Sequence, residues 1–155
     1  MPNETSNIET IELTIEQLLS MDGDFFKIPD YQRRYSWEKQ NINDFWYDLD
    51  NVDQSEEHFL GSIVVIPKDK EIDGFRKSEI VDGQQRLTTI LILLKVIYNC
   101  LIDNNKKIAS KINDSYIYTS NSKNDKKLTL FLGKLDHQDF KMIMENNYYN
   151  EEDFG

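Results

Sequence analysis

Three short stretches of this sequence hold side chains of the kinds that grip a phosphate or stack on a base. The first runs Ile80-Val81-Asp82-Gly83-Gln84-Gln85-Arg86-Leu87-Thr88-Thr89. A strand-like run ends there in a glycine, and a long apolar helix pattern starts at once. The free N–H groups and positive dipole end of a helix N-terminus attract anions. Gly83 lets the backbone approach one without a Cβ in the way, and Arg86, one turn in, offers a two-pronged guanidinium. Gly83, Arg86 and Thr88 are therefore the expected phosphate contacts on this side. Asp82 stands where a carboxylate would hold Mg²⁺ or orient a water nucleophile. Gln84 and Gln85 supply amides to position that water. The plain alternative is a turn in which Asp82 caps the helix and Arg86 is solvated. The stretch is not a GxxxxGK[ST] loop.

The second stretch, Ile28-Pro29-Asp30-Tyr31-Gln32-Arg33-Arg34-Tyr35-Ser36-Trp37, crowds two arginines, two tyrosines, a tryptophan and a glutamine between a strand and a helix. Aromatic faces interleaved with arginine can stack a base and hold its phosphates. Gln32 and Arg33 are the expected nucleotide contacts, and Tyr31, Arg34 and Tyr35 the residues that would stack a base or sense DNA. Trp37 reads more simply as a packing anchor. The third stretch is Phe59-Leu60-Gly61-Ser62-Ile63, where a glycine inside a strand-like run marks a close approach by a ligand or by another backbone.

Other chemistries find no support. His58 and His137 are far apart with no cysteine partner, which argues against a zinc site. The single cysteine, Cys100, lies mid-helix on an apolar segment and reads as a buried, inert thiol. It is fourteen residues past Arg86, or roughly 20 Å along a helix, too far for redox chemistry at the phosphate loop. One cysteine also excludes an internal disulfide; with no leader-like start and no apolar run of the ~20 residues a membrane span needs, the expected location is the cytoplasm, with no membrane partner.

The chain has 155 residues and a formal charge of −10. The imbalance is local: residues 1–59 hold 14 acidic against 4 basic side chains, and residues 60–155 hold 14 of each. A domain that bound duplex DNA mainly by neutralising phosphates would carry a basic surplus. Contact with nucleic acid is thus expected to be local, or made by another part of the protein.

The elements that must position these residues follow from periodicity. Ile8 to Leu13 alternates like a short strand, and Thr14 with Gln17 forms a capping box for a short helix. Met21 to Asp24 reads as a turn, and Phe25 to Ile28 as a strand stopped by Pro29. Ser36 is placed to cap a helix over Trp37 to Val52 whose stripe Ile42, Phe45, Trp46 and Leu49 should be buried. Phe59 to Ile66 reads as a central strand and Ser78 to Val81 as its partner, joined by a polar connection containing Gly74. Gln84 to Asp103 is the clearest helix, apolar nearly all round and hence central. Asn104 to Lys127 reads as a mobile connection that could hold a short helix. Leu128 to Leu132 could be a strand, and Asp136 to Glu145 a helix capped by Asp136.

Taken in order, Ile-Pro-x-Tyr-Gln-Arg-x-Tyr-x-Trp, Phe-Leu-Gly-Ser-Ile and Val-Asp-Gly-Gln-Gln-Arg-Leu-Thr-Thr resemble the N-terminal domain family of GmrSD-type, type IV restriction endonucleases. The likeness covers roughly Ile8 to Asp103, with an echo in Leu128 to Phe140. It implies an α+β class, a small mixed β-sheet packed with helices in the ParB/sulfiredoxin manner, with residues 1–103 as the NTPase core and 104–155 as the start of a following helical region. It also implies binding and hydrolysis of a nucleoside triphosphate with Mg²⁺, centred on Asp82 to Arg86, with Tyr31, Gln32 and Arg33 facing the same pocket. Relatives continue into an HNH-type nuclease domain. No His-Asn-His cluster occurs here, so nuclease activity is not expected of this chain, and DNA would be met through a local site or through that nuclease domain. A non-catalytic DNA- or nucleotide-binding module is the alternative.

Overall fold

The computed structural model describes residues 10–53 and 58–145, the side chains of 68–71 excepted. Its architecture is α+β, a small mixed sheet packed with helices. Helix α1 (Ile15–Leu19) starts at the expected capping box, with Thr14 Oγ1 accepting from Gln17 N at 3.1 Å and Gln17 Oε1 accepting from Thr14 N at 2.9 Å. The strand expected before it is not there: residues 10–13 are irregular, and Ile8 and Glu9 lie outside the described residues. Alternation holds no strand without a neighbour to pair with.

Strand β1 (Asp24–Lys27) is short because Pro29 has no N–H to donate. It lies in the middle of the sheet, parallel both to β3 (Phe75–Asp82) and to β6 (Leu130–Phe131), while β2 (Val64–Ile72) pairs antiparallel with the far edge of β3. Strands β2 and β3 are longer than their apolar runs. Asp73 and Gly74, at φ 55° and 81°, make the left-handed two-residue turn that an Asp-Gly pair favours, so the polar connection becomes a hairpin tip. The stretch 58–63, expected to be strand, is irregular; Gly61 at φ 103° turns it out of register with the ladder.

A single left-handed residue, Gly83 at φ 87°, joins β3 to helix α3 (Gln84–Leu101). The helix is central only in its first half. Leu87, Thr88, Thr89, Ile90, Leu91 and Lys95 are buried, whereas Ile97 is partly open and Cys100 is exposed, not buried as its apolar neighbours implied. Desolvation holds the Lys95 ammonium below the usual lysine range.

The polar segment after Asp103 is structured. Helix α4 (Lys106–Ile112) runs into a π-helical turn (Asn113–Ile117), then the ribbon of β4 (Tyr118–Ser120) and β5 (Lys126–Leu128). Ala109, Ile112 and Ile117 are few but deeply buried, and Ile112 and Ile117 join the main core. One apolar cluster joins Leu19, Phe26, Ile80 and Leu91 to Ile117 and Leu130, and helix α5 (His137–Glu145) adds Phe140 and Met144. Among the described residues no helix is long and apolar enough to cross a membrane.

Helix α2 (Lys39–Asp50) departs most from its pattern. It starts two residues later than expected, with Glu38 and Asn41 rather than Ser36 forming the capping box. The Ser36 hydroxyl is instead buried without a hydrogen-bond partner. No residue of α2 is buried: Phe45 and Leu49 are half-covered, and Ile42 and Trp46 stand exposed.

Candidate functional site

Strands β1, β3 and β6 run in the same direction, so their carboxyl ends open onto one side of the sheet. Chain leaving those three ends builds a cavity of about 210 Å³. Its first wall is the stretch after β1, contributing Gln32, Arg33, Arg34 and Tyr35. The second is the first turn of α3, with Gln84, Gln85 and Thr88. The third, after β6, is Leu132-Gly133-Lys134-Leu135-Asp136. In sheets of this kind, ligands sit outside the carboxyl ends of parallel strands.

The walls are tied together by polar contacts that use several of the expected site residues. Gln85 Oε1 accepts from Ser36 N at 2.7 Å and its Nε2 donates to the Arg34 carbonyl at 3.0 Å. Asp136 is not spent on capping α5. Its Oδ1 takes Arg34 Nη2 at 2.7 Å and Nε at 3.0 Å, and its Oδ2 accepts from Tyr35 N at 2.8 Å. Burial pushes the Asp136 carboxyl up, but the bonds from Arg34 and the Tyr35 N–H outweigh it and hold the group below its ordinary range. Tyr35 Oη meets Thr89 Oγ1 at 2.9 Å, and Asp30 Oδ1 accepts from Lys134 N at 2.8 Å. Arg34, Tyr35 and Gln85 therefore hold the cavity's shape.

The side chains left to face a ligand are fewer. The side chains of Arg33 and Lys134 are exposed cations that make no hydrogen bond or ion pair with the described residues, and the Gln84 side-chain amide is likewise unengaged. The Thr88 hydroxyl donates to the Gln84 carbonyl at 2.7 Å. No side chain caps α3, so its first N–H groups are not taken by one. Lys134 was not picked out from sequence; the available signal was a Gly-Lys pair directly after a strand.

Gly83 and Arg86 stand apart from this cavity. Arg86 Nη1 donates to the Ser62 carbonyl at 3.3 Å, and its guanidinium lies against Gly61, where a Cβ would come within 2.6 Å of it. A Cβ on Gly83 would fall 2.9 Å from Ile63 Cγ1 and 3.0 Å from the Ser62 carbonyl. The two glycine-bearing stretches thus interlock, each occupying the space that a side chain on the other would need. Arg86 lines a second hollow of about 290 Å³ with Trp37, His58 and Phe59, on another side of the helix start. Asp82 is exposed and, with Gly83, lines neither hollow; Tyr31 is 75% exposed and lines neither as well.

His137 fixes the third wall. Its Nδ1 accepts from Leu132 N at 3.2 Å, and its ring stacks on Phe131 with centroids 4.8 Å apart. Burial, then the charges of Lys27 and Lys141, push the imidazole below its ordinary range. The unfolded chain therefore takes the proton first as pH falls. This contribution to stability is complete above the unfolded value, about 6.5, and is lost as pH drops through the lower folded value. Unfolding free energy measured from pH 7.5 down to 5 is expected to fall in the native protein, and His137→Gln is expected to remove that part of the slope.

A mixed sheet with a cavity at the carboxyl ends of its three parallel strands makes this an α+β domain. A family model described as "GmrSD restriction endonuclease, N-terminal domain" matches residues 15–154, and the chain belongs to that family. Its role is thereby one in restriction. No curated protein matches the chain.

Proposed function

We propose that this domain binds a nucleoside triphosphate by its phosphates in the cavity at the sheet's carboxyl edge and hydrolyses it. In the restriction endonuclease, nucleotide state would govern DNA recognition or cleavage by an HNH-type nuclease domain in the same or a partner chain. The observation that carries the reading is the convergence of Gln32, Arg33 and Lys134 on the uncapped start of an 18-residue helix. Such a helix end favours an anion, and two free cations beside it add charge-assisted bonds. A cavity of about 210 Å³ is smaller than the ~300–1,000 Å³ of sites that enclose a whole drug-sized ligand. It suits the phosphate tail, leaving the base at the rim, where Tyr31 is exposed.

In this reading Arg33 and Lys134 neutralise the charge developing on the transferred phosphoryl group, and the Gln84 amide orients the attacking water. Mg²⁺ would arrive on the triphosphate, held by phosphate oxygens and water as is usual for this ion. Asp82 lies outside the cavity and takes no part in the step. Arg86 supports the helix start through the Ser62 carbonyl.

The test is binding of a fluorescent nucleoside triphosphate analogue with Mg²⁺, alongside release of inorganic phosphate. Arg33→Ala and Lys134→Ala are each expected to weaken binding about tenfold or more, the loss of a charge-assisted bond, with an unchanged Tm. Binding indifferent to the double variant would refute the site. One observation favours a second reading, a nucleotide- or DNA-phosphate-binding module without turnover: the cavity's carboxylates, Asp30 and Asp136, are already hydrogen-bonded. Tight binding with no phosphate release would select it.

A further inference from the structure

The least settled surface lies on the other side of the helix start. Helix α2 carries the stripe Ile42, Phe45, Trp46 and Leu49 that a core-facing helix needs, yet none of it is buried. Trp46 is 55% exposed and Tyr47 68%, and Phe59, at the hollow beside α2, 77%. The hollow of about 290 Å³ opens between α2 and Phe59, with the rings of Trp37 and Phe45, 5.8 Å apart, at its side. A contiguous apolar face of this kind on a folded domain marks a contact surface.

The charges around it say what would cover it. Glu38, Asp44, Asp48 and Asp50 surround the stripe against Lys39 alone. Asp44 and Asp48, four residues apart, share one helix face and both line the hollow. Among the described residues Asp44 is engaged only by Gln40, at 2.8 Å, and Asp48 by no hydrogen bond or ion pair. Among the described residues Arg86 is the hollow's one strong cation, and it is turned to the Ser62 carbonyl. Duplex DNA, a polyanion, is repelled by such a rim. An amphipathic helix with an apolar stripe and flanking arginines is not: its stripe meets Ile42, Trp46 and Phe59, and an arginine enters the hollow to meet the Asp44 and Asp48 carboxylates and the face of an aromatic ring.

We propose that α2 and the hollow beside it form a docking surface for a protein partner that presents a basic amphipathic helix. The proposal stands independently of the nucleotide reading, which concerns the opposite cavity.

Both tryptophans of the chain, Trp37 and Trp46, lie on this surface, so intrinsic fluorescence reports on it alone. The probes are two synthetic helical peptides with the same leucine stripe, one flanked by arginines and one by glutamates, and a duplex oligonucleotide. The arginine peptide is expected to shift tryptophan emission to the blue in a saturable way that high salt weakens. Asp44→Asn with Asp48→Asn should weaken it by roughly tenfold, at unchanged Tm. Four results would overturn the proposal. Equal response to the glutamate peptide would show mere apolar adhesion, and response to the oligonucleotide would make the surface a DNA site. A shift with protein concentration alone would make a second copy of this chain the occupant. No shift with the arginine peptide would overturn it as well.

Discussion

Gly83→Ala is expected to lower the free energy of unfolding by about 2–5 kcal/mol, read by urea denaturation. Two costs add. A side chain at φ 87° sits in the left-handed region, which costs an L-residue about 1–2 kcal/mol. The new Cβ would then press on the Ser62 carbonyl and the Ile63 backbone at 3.0 and 3.1 Å, atoms that cannot swing aside, and such overpacking costs about 1–3 kcal/mol more. Gly61→Ala makes the informative comparison. Its nominal clash is closer, 2.6 Å, but with the end of the Arg86 side chain, which can move. It should cost less than Gly83→Ala while freeing Arg86 from Ser62. Gly133→Ala, with no contact nearer than 3.7 Å, should be close to neutral. If all three glycines respond alike, the interlock of the two stretches is not what holds this corner together.

That interlock also explains how much of the site was legible in the sequence. The types of residue were readable: Gln32, Arg33, Gln84, Gln85 and Thr88 do share one cavity, since strand ends and a helix start declare themselves through Pro29, Gly83 and the apolar run after it. Which way each side chain turns was not. Successive helix residues are ~100° apart, so Gln85 and Arg86 face different hollows, and only the path of residues 58–63 decides which is which. Lys134 escaped although a strand was expected before it, because a Gly-Lys pair after a strand does not say that the loop folds back onto the first turn of α3. Segment 104–127 escaped for the opposite reason: polar composition hid three anchors whose burial depends on elements far away in sequence. In α2 the pattern was read correctly but its burial was not, because a stripe announces that a helix wants cover, not where the cover comes from.

The two adjacent glutamines should separate shape from function most sharply. Gln85→Ala removes the acceptor for the part-buried Ser36 N–H and the donor to the exposed Arg34 carbonyl. Leaving the Ser36 N–H unpaired costs about 1–3 kcal/mol, while water can replace the donor at the Arg34 carbonyl, so a loss of about 1–3 kcal/mol in unfolding free energy is expected. The loop carrying Gln32 and Arg33 should loosen with it, giving faster amide exchange at residues 32–36. Gln84→Ala breaks no side-chain bond and should leave Tm and exchange unchanged. If Gln84 orients the attacking water, its loss lowers phosphate release about 10²-fold or more while nucleotide affinity barely changes, since a group that acts only as charge develops contributes to kcat and not to binding. The reverse pattern, with Gln84→Ala unfolding the domain and Gln85→Ala silent, would mean that the loop is held by something other than the Gln85 amide. A Gln84→Ala protein with full turnover would leave the cavity as a phosphate grip whose chemistry, if any, is done elsewhere.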